Sequence, residues 1–282
     1  MAGILFLCPT PIGNLNDISE RVLDTLREAD LIACEDTRNS IKLMNAFDIH
    51  VPMTSYHEYN KTSKAYSLID KLKEGSNIAL ISDAGTPGIS DPGEVLVKLC
   101  HEEGIKVTSL HGPCACIVAL TMSGFSTRRF CFEGFLPPEK KDRLQVLEEL
   151  KREYRTMVIY EAPHHLKGTL AELKETLGED RKIALCRELT KKFEEVIRMS
   201  LEEAIAYYET KEPKGEYVLV LEGIDRKTEK EEMEKNFNEM PLEEHMNIYL
   251  SQGMDKKEAM KRVAKDRGVS KSDVYKALLE NE

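Results

Sequence analysis

The chain has 282 residues, a formal net charge of −10 at pH 7, and a composition that is 41% hydrophobic and 32% charged. These values are typical of a soluble globular protein of about two domains, and no apolar run approaches the roughly 20 residues needed to span a bilayer. We therefore expect a cytoplasmic protein with no membrane segment. The acidic balance is unusual for a nucleic-acid-binding protein, which would have to rely on a locally basic surface.

The seven cysteines are scattered along the chain, and none forms a CxxC pair. Most of them lie inside apolar segments, which is typical of small buried residues in a reducing compartment. We therefore expect neither disulfides nor a metal site, and a catalytic cysteine is the less favoured alternative.

Short apolar runs alternate with helical patterns over residues 4–110. The predicted helices are residues 18–28, 39–47 and 93–103, and the predicted strands are residues 4–8, 31–34, 78–82 and 106–110. We expect Asp17, with Glu20 three residues later, to begin the first helix as a capping box. Strands that alternate with helices predict a parallel sheet covered by helices on both faces.

A second region contains five predicted strands, at residues 130–133, 156–160, 182–186, 195–199 and 217–221. The last three lie close together, with little helical sequence between some of them. This spacing predicts a mixed or partly antiparallel sheet.

Residues 225–236 are mostly charged, with almost no apolar residues, and are interpreted as a linker or a solvated helix. Three helical patterns follow, at residues 242–250, 256–266 and 271–279. Asp255 and Ser270 carry the helix-start signals of the last two. The short connection between these two helices predicts a helix-turn-helix-like domain over residues 237–282.

Residues 78–94, IALISDAGTPGISDPGE, run from an apolar strand into a loop rich in glycine and proline. In an open α/β sheet, ligands bind beyond the carboxyl ends of the strands, and small residues there let backbone groups approach a ligand closely. The loop matches neither the GxGxxG nor the Walker A pattern, so no dinucleotide or nucleoside triphosphate is expected. Asp91 is interpreted mainly as a helix cap, which leaves Asp83 as the better functional candidate.

The second predicted strand ends in four consecutive polar residues, Glu35-Asp36-Thr37-Arg38. Three ionisable side chains directly after a buried strand are more than a turn requires, which favours a functional site. The equally supported alternative is that Asp36 or Thr37 caps the following helix. The loop at residues 8–14, with two prolines and a Gly-Asn pair, is either a rigid turn or one wall of a site.

Seven strings occur in fixed order between residues 4 and 223: TPIGNLNDIS, ADLIACEDTR, LISDAGTPGISDPG, FEGFLPP, YEAPHH, CRELTK and KGEYVLVLEG. Together they resemble the ribosomal RNA small-subunit methyltransferase I family, a branch of the tetrapyrrole methylases. The resemblance implies a two-lobed α/β fold of the class III methyltransferase type, with lobes at residues 1–112 and 113–224 and a small C-terminal helical domain. It also implies a homodimer with S-adenosylmethionine in the cleft between the lobes. The implied reaction is methylation of the 2′-oxygen of a decoding-site cytidine in the 16S ribosomal RNA of the 30S subunit.

Motif matching to that family implies a cofactor site formed by Asp83, Gly85, Thr86, Pro87, Ile89, Cys114, Ala115, Tyr160 and Glu216. The sequence departs from the family pattern at Cys114, where serine is usual, and at His165, where arginine is frequent. It also has SYHEYNK at residues 55–61 in place of a His-Glu-His-Asn-Glu string. The last two departures fall on loops that we expect to face RNA.

Methylation of a ribose hydroxyl requires alignment of the oxygen with the methyl carbon and a group that accepts the hydroxyl proton. The candidates for this catalytic role each follow an apolar strand within a family-like motif, and they are Glu35, Asp36 and Glu188. The candidates for RNA contact are Arg38, His164, His165, Arg187, Lys191 and Lys192. The alternatives are a solvated charged face for the lysines and a helix N-terminal pair for the histidines.

The tail is locally basic, because residues 255–276 carry eight basic and four acidic side chains. A helix-turn-helix with this bias could hold an RNA backbone, and a solubilising helical bundle is the alternative. Two other functions remain open. One is methylation of a corrin or porphyrin precursor on the same fold, and the other is a ligand-sensing regulator that binds nucleic acid.

Overall fold

The computed structural model describes residues 1–225 and 237–280, with the side chains of all but the last of these. The linker predicted at residues 225–236 lies outside the described residues except for Asp225. The chain divides into two compact units, Met1–Glu222 and Gly223–Glu282. Within the described ranges, none of the helices combines the length and apolar character that crossing a membrane requires.

The larger unit begins with a five-stranded parallel sheet whose strand order is β3-β2-β4-β1-β5. Its strands are β1 (Ile4–Leu7), β2 (Leu31–Cys34), β3 (Met53–Ser55), β4 (Ile78–Leu80) and β5 (Lys106–Ser109). The helices between them are α1 (Glu20–Glu28), α2 (Thr37–Ala46), α3 (Lys61–Lys73) and α4 (Gly93–Glu102). The predicted parallel sheet is confirmed, and β3 and α3 are additional to the predicted elements.

The start of α1 differs from the prediction. Ser19 is the N-cap, and its hydroxyl accepts the backbone N–H of Val22 at 3.3 Å. Asp17 instead ends a one-turn 3₁₀-helix, Leu15–Asp17, so the predicted Asp17 cap is wrong by two residues. Because Glu20 is already the first helical residue, it lies too early in the helix to complete a capping box.

Helices bury both faces of this sheet, as parallel strands require. On one face, Leu5 of β1 packs in a cluster with Leu72 of α3 and Leu96 of α4. On the other face, Ile32 of β2 packs in a cluster with Leu26 of α1. Full burial of each such side chain contributes about 1.5–3 kcal/mol. The packed sheet therefore fixes the points at which the loops at its carboxyl edge begin.

The larger unit continues with a second five-stranded sheet, whose order is β6-β7-β10-β8-β9. Its strands are β6 (Phe130–Phe135), β7 (Thr156–Glu161), β8 (Lys182–Arg187), β9 (Glu195–Ser200) and β10 (Tyr217–Leu221). Its helices are α5 (Ala115–Ser123), α6 (Lys140–Leu150), α7 (Leu166–Leu177) and α8 (Leu201–Glu209). β6 and β7 are parallel and the other pairs are antiparallel, which confirms the predicted mixed sheet.

The mixed sheet also has two covered faces. α5 packs on the face that carries Val158 and Val218, through Ala119 and Leu120. The other face packs against α6, α7 and α8 around Leu219. The N-terminus of α5 lies where the two halves of the unit meet, because the backbone N–H of Cys116 donates to the hydroxyl of Tyr160 on β7.

The smaller unit contains the helices α9 (Leu242–Leu250), α10 (Lys256–Asp266) and α11 (Lys271–Glu280). The three predicted helices are confirmed. Asp255 is the N-cap of α10 as predicted, because its carboxylate accepts the Glu258 N–H at 2.7 Å. Met246, Val263 and Val274 form the centre of a small core between the helices.

Candidate functional site

A cavity of about 520 Å³ lies in the larger unit, beyond the carboxyl ends of the parallel strands. Loops after β1, β2, β4 and β5 form one side, and the mixed sheet with its loops forms the other. The predicted site residues that line the cavity are Glu35, Asp83, Gly85, Thr86, Ile89, Cys114, Ala115, Tyr160, Lys191 and Glu216. The structure therefore brings together residues that lie as far apart as 35 and 216 in the sequence, at the edge where an open α/β sheet binds ligands.

The loop after β4 is held by hydrogen bonds to two other loops. Thr10 and Gly85 exchange backbone hydrogen bonds at 2.9 and 3.0 Å, which joins this loop to the one after β1. The Thr86 hydroxyl donates to the Pro113 carbonyl at 2.8 Å, which joins it to the loop after β5. Gly85 has a φ of +85°, a conformation that an L-side chain rarely adopts.

Asp91 closes the same loop on itself. Its carboxylate accepts backbone N–H groups from Gly88 at 2.8 and 2.9 Å, from Gly93 at 2.7 Å and from Ile89 at 3.3 Å. The helix begins at Gly93, one residue later than a cap at Asp91 would require, with Pro92 in the cap position. Asp91 therefore does more than cap a helix, since it shapes the turn that forms part of the cavity wall.

Glu35 is a half-buried carboxylate in the cavity wall, at the end of β2. Its Oε1 accepts the backbone N–H of Asp83 at 3.2 Å. Burial raises the pKa of Glu35, and the negative charges of Asp83 and Asp91 raise it further, whereas the Asp83 hydrogen bond and nearby His57 lower it. The net effect is a raised pKa, which makes this carboxylate a stronger base than an exposed glutamate.

Asp36 performs the capping role that the sequence left as an alternative. Its carboxylate accepts the Arg38 backbone N–H at 2.8 Å and binds the Arg38 guanidinium at 3.0 and 2.7 Å. These bonds lower the pKa of Asp36 to about 2. Neither side chain is among those that line the cavity, and Arg38 is exposed.

Glu188, Lys191 and Glu216 form a charged cluster beside the cavity. The Lys191 ammonium lies 3.0 Å from the Glu188 carboxylate and 2.7 Å from that of Glu216. Glu188, which has a φ of +51°, also accepts the backbone N–H of Glu216 at 3.0 Å. Burial alone raises the pKa of Glu188, but this hydrogen bond and Lys191 lower it on balance. Lys191, predicted to contact RNA, is thus already paired with two carboxylates.

Tyr160 forms an aromatic wall at the end of β7. Its ring packs edge-on against Phe132 at 4.9 Å and Phe135 at 5.6 Å between centroids. Its hydroxyl accepts the backbone N–H of Cys116 at 3.1 Å, which ties the mixed sheet to the start of α5. Burial raises the pKa of Tyr160 well above its usual range, so the hydroxyl stays neutral.

Two thiols lie at the start of α5. Cys114 is the N-cap residue and lines the cavity, and its Sγ is 3.4 Å from that of buried Cys116. The hydrogen bond with Cys116 lowers the pKa of Cys114 against the opposing effect of burial, assisted by backbone N–H groups of the helix.

The remaining predicted residues do not line the cavity. Pro87 is buried in the loop after β4. His164 and His165 are exposed at the start of α7, with ring centroids 4.1 Å apart. Arg187 lies 3.4 Å from the Glu195 carboxylate, and exposed Lys192 lies over the Phe193 ring. The structure thus places these basic and histidine side chains outside the cavity.

The cavity wall also contains residues that were not predicted as site residues: Ile12, Ser82, Ala84, Ser90, Asp91, Phe135, Glu161, Ala162, Pro163, Cys186, Leu189, Tyr217 and Val218. Several are direct neighbours of predicted residues, such as Ser82 and Ala84 on either side of Asp83. Others, such as Val218, lie on strands whose apolar pattern looks like ordinary core. The sequence could therefore have indicated the lining residues that neighbour a motif. It gives no indication that residues on the strand faces, such as Val218, line a cavity.

The family model described as Tetrapyrrole (Corrin/Porphyrin) Methylases matches residues 5–205. Two solved structures share the fold. Diphthine synthase has a TM-score of 0.63 at 15% identity and covers 78% of this chain and 90% of its own. Uroporphyrin-III-C-methyltransferase from Thermus thermophilus has a TM-score of 0.56 at 17% identity and covers 78% of this chain and 94% of its own. The fold and the family model define the protein as a tetrapyrrole methylase in class.

Relatives of similar sequence identify one family within the tetrapyrrole methylases. Ribosomal RNA small subunit methyltransferase I of Bacillus subtilis (strain 168) is 47% identical over 98% of this chain and 94% of the relative. The protein of the same name from Synechocystis sp. is 43% identical over 99% of both chains. The chain belongs to the ribosomal RNA small subunit methyltransferase I family.

Proposed function

We propose that this protein methylates the 2′-oxygen of a decoding-site cytidine in 16S ribosomal RNA, with S-adenosylmethionine as the methyl donor. The names of relatives 47% and 43% identical over nearly the whole chain support a small-subunit ribosomal RNA substrate. The observation that carries the chemistry is the half-buried Glu35 carboxylate, whose pKa is raised, in the wall of the cavity. We further propose that the protein acts on the 30S subunit, in the cytoplasm, as a homodimer.

The cavity suits a donor of this size and charge. Its volume of about 520 Å³ falls within the roughly 300–1,000 Å³ typical of small-molecule sites. Apolar walls at Ile12, Ile89 and Val218 suit an adenine ring, and the carboxylate of Asp83 favours a cation. S-adenosylmethionine, when bound, supplies an electrophilic methyl group on a positively charged sulfur. The residues proposed to hold it are Asp83, Gly85, Thr86, Ile89, Cys114, Ala115, Tyr160 and Glu216, and buried Pro87 is proposed to act only by shaping the loop after β4.

Glu35 is our proposed acceptor of the ribose hydroxyl proton. A base is most effective when its pKa approaches the working pH, and among the three candidate carboxylates only Glu35 has a raised pKa. The Asp36 carboxylate caps α2 and forms an ion pair with Arg38, and the Glu188 carboxylate forms an ion pair with Lys191. The Asp83 N–H fixes the Glu35 carboxylate in place, so proton transfer would need no search for the reactive orientation.

The RNA contacts that we propose lie outside the cavity. Arg38, His164, His165, Arg187 and Lys192 are proposed to position the RNA through its phosphates or, for the histidines, by stacking. Lys191 is proposed to hold Glu188 and Glu216 in place in the cavity wall, since its charge is already balanced by these two carboxylates. The basic tail is proposed to add further backbone contacts.

The test is methyl transfer from labelled S-adenosylmethionine to purified 30S subunits that lack the modification, followed by mapping of the labelled nucleotide. We expect label at one decoding-site cytidine, on the ribose, because the product then resists alkaline cleavage at that position. Label on a base, or on another nucleotide, would contradict the proposal. Parallel assays with corrin and porphyrin precursors, and with duplex DNA, test the two rival functions directly.

A further inference from the structure

The two thiols at the start of α5 have an arrangement that the proposed methyl transfer does not require. Cys114 and Cys116 are separated by one residue, and their sulfur atoms lie 3.4 Å apart. The side chain of Cys114 reaches the cavity, whereas that of Cys116 is buried behind it. Residues two apart have Cα atoms at most about 7 Å from each other, close to the range that a disulfide spans.

We propose that Cys114 and Cys116 form a reversible oxidation site, which a hydroperoxide converts to a disulfide in the wall of the cavity. Cys114 is the reactive member, since it is accessible from the cavity and lies at the N-terminus of α5, where the Cys116 thiol and backbone N–H groups lower its pKa and favour the thiolate. Cys116 is the resolving member, because its sulfur is already in contact with that of Cys114.

The chemistry balances with the peroxide as the sole oxidant. The Cys114 thiolate attacks the terminal peroxide oxygen, so that an S–O bond forms and the O–O bond breaks, and the other oxygen leaves as hydroxide from hydrogen peroxide or as an alkoxide from an organic hydroperoxide. The Cys116 sulfur then attacks the Cys114 sulfur, so that the S–S bond forms and the S–O bond breaks. The departing hydroxide takes the Cys116 proton and leaves as water. Two thiols are oxidised, one peroxide is reduced, and a dithiol reductant reverses the reaction.

The other cysteines are poor competitors for the oxidant. Cys8, Cys34, Cys100 and Cys186 are buried, and burial raises the pKa of each of them. Cys131 is half-buried like Cys114, yet burial raises its pKa to about 12. Cys131 therefore provides a matched control, since it has similar exposure without the thiolate character or the neighbouring sulfur.

The disulfide would change the cavity at the point where the loop after β5, the start of α5 and the end of β7 meet. Cys116 donates its backbone N–H to the Tyr160 hydroxyl, so a change at the thiol pair also reaches the aromatic wall. We therefore expect oxidation to weaken binding of S-adenosylmethionine. This consequence rests on the proposed function, whereas formation of the disulfide does not.

The first experiment treats the full chain with hydrogen peroxide, blocks the remaining thiols with N-ethylmaleimide, and maps the cysteines by mass spectrometry. We expect two of the seven thiols to be lost, and a linked peptide that contains Cys114 and Cys116. C114S should keep all of its thiols, and C131S should behave as the unchanged protein does. A Cys114 that stays alkylatable, or that oxidises to the sulfinic acid while Cys116 stays free, would overturn the proposal.

The second experiment measures binding of S-adenosylmethionine by calorimetry before peroxide, after peroxide, and after dithiothreitol. We expect about tenfold weaker binding of the oxidised protein, which is about 1.4 kcal/mol, with full recovery on reduction. C114S cannot form the disulfide, so its affinity, whatever its starting value, should be the same in all three conditions. Equal affinity of the reduced and oxidised protein would refute the effect on binding. If the reduced protein does not bind at all, the proposed function fails while the thiol mapping still stands.

Discussion

The loop after β2 and the loop after β8 each present a glutamate at the cavity region, but the two carboxylates have opposite properties. Glu35, in the parallel half, is half-buried near Asp83 and Asp91, and its pKa is raised. Glu188, in the mixed half, accepts the Glu216 N–H and pairs with Lys191, and its pKa is lowered. The same functional group is therefore prepared as a base on one side and as a fixed structural anion on the other.

The largest expected difference between the two glutamates is in the rate of methyl transfer. Glu35→Gln should lower the single-turnover rate by about 10²–10⁴-fold, because the amide cannot accept the hydroxyl proton. Glu188→Gln and Asp36→Asn serve as matched controls, and both should keep most of the rate. Cofactor affinity, measured separately, should be preserved in Glu35→Gln. Equal losses in all three variants would show that neither half supplies a specific base.

Substitution of one glycine in each half, Gly85 and Gly178, should have different effects on cofactor affinity. Gly85 and Gly178 both have positive φ, so alanine introduces backbone strain of about 1–3 kcal/mol at either position. Only at Gly85 would the new methyl group also lie 3.1 Å from Ile12 and 3.4 Å from the Pro113 carbonyl oxygen, whereas nothing lies near it at Gly178. Gly85→Ala should therefore weaken cofactor binding by about tenfold in calorimetry, while Gly178→Ala leaves it unchanged.

The two glutamates should also differ in their effect on the acidic limb of the pH–rate profile. Because the pKa of Glu35 is raised, it protonates as the pH falls before an ordinary glutamate would. The methylation rate should therefore fall, with decreasing pH, at a midpoint above the usual glutamate pKa of about 4.3. Glu188→Gln should leave that midpoint unmoved. A profile that stays flat down to the ordinary glutamate range would contradict the assignment of the base.

The smallest expected effect is on stability, and its sign differs between the two halves. A carboxyl group whose pKa is raised by folding stabilises the protein at a pH below its pKa in the unfolded state, and this stability is lost as the pH rises through its pKa in the folded state. At neutral pH the ionised Glu35 therefore lowers stability, and Glu35→Gln should raise the melting temperature. A lowered pKa gives stability that is present above the unfolded pKa and lost as the pH falls through the folded value. Glu188→Gln should therefore lower the melting temperature at neutral pH. Scanning calorimetry at neutral and acidic pH measures both effects, and shifts of the same sign would refute the contrast.

Much of the fold could be predicted from local sequence patterns. Strands such as β10 were predicted to the residue, because apolar runs bounded by glycine and polar residues are unambiguous. β3 was missed because three residues are too few to establish a period. The predicted Asp17 cap is wrong because Asp17 and Ser19 offer similar start signals, and the 3₁₀ turn that ends at Asp17 leaves Ser19 to begin the helix.

Site residues could be predicted from the sequence where a loop carries a polar motif. They could not be predicted where the role of a side chain depends on a partner that is distant in the sequence. Asp83 and Glu35 were identified because nothing local explains a polar residue at a strand end. Whether Asp36 or Glu35 faces the cavity depends on the start of α2, and the sequence could not decide it. The neutralisation of Lys191 depends on Glu216, which lies 25 residues away and reaches it only through the pairing of β8 with β10.

The paired backbone bonds between Thr10 and Gly85 have a consequence for local unfolding. Each amide donates to the other residue's carbonyl, so neither can open without breaking the partner's bond. Thr86 extends this link to Pro113, so three segments far apart in the sequence share one set of bonds. Their amide protons should therefore exchange with deuterium together, as a single cooperative unit, and ligand binding in the cavity should slow the exchange of the whole group.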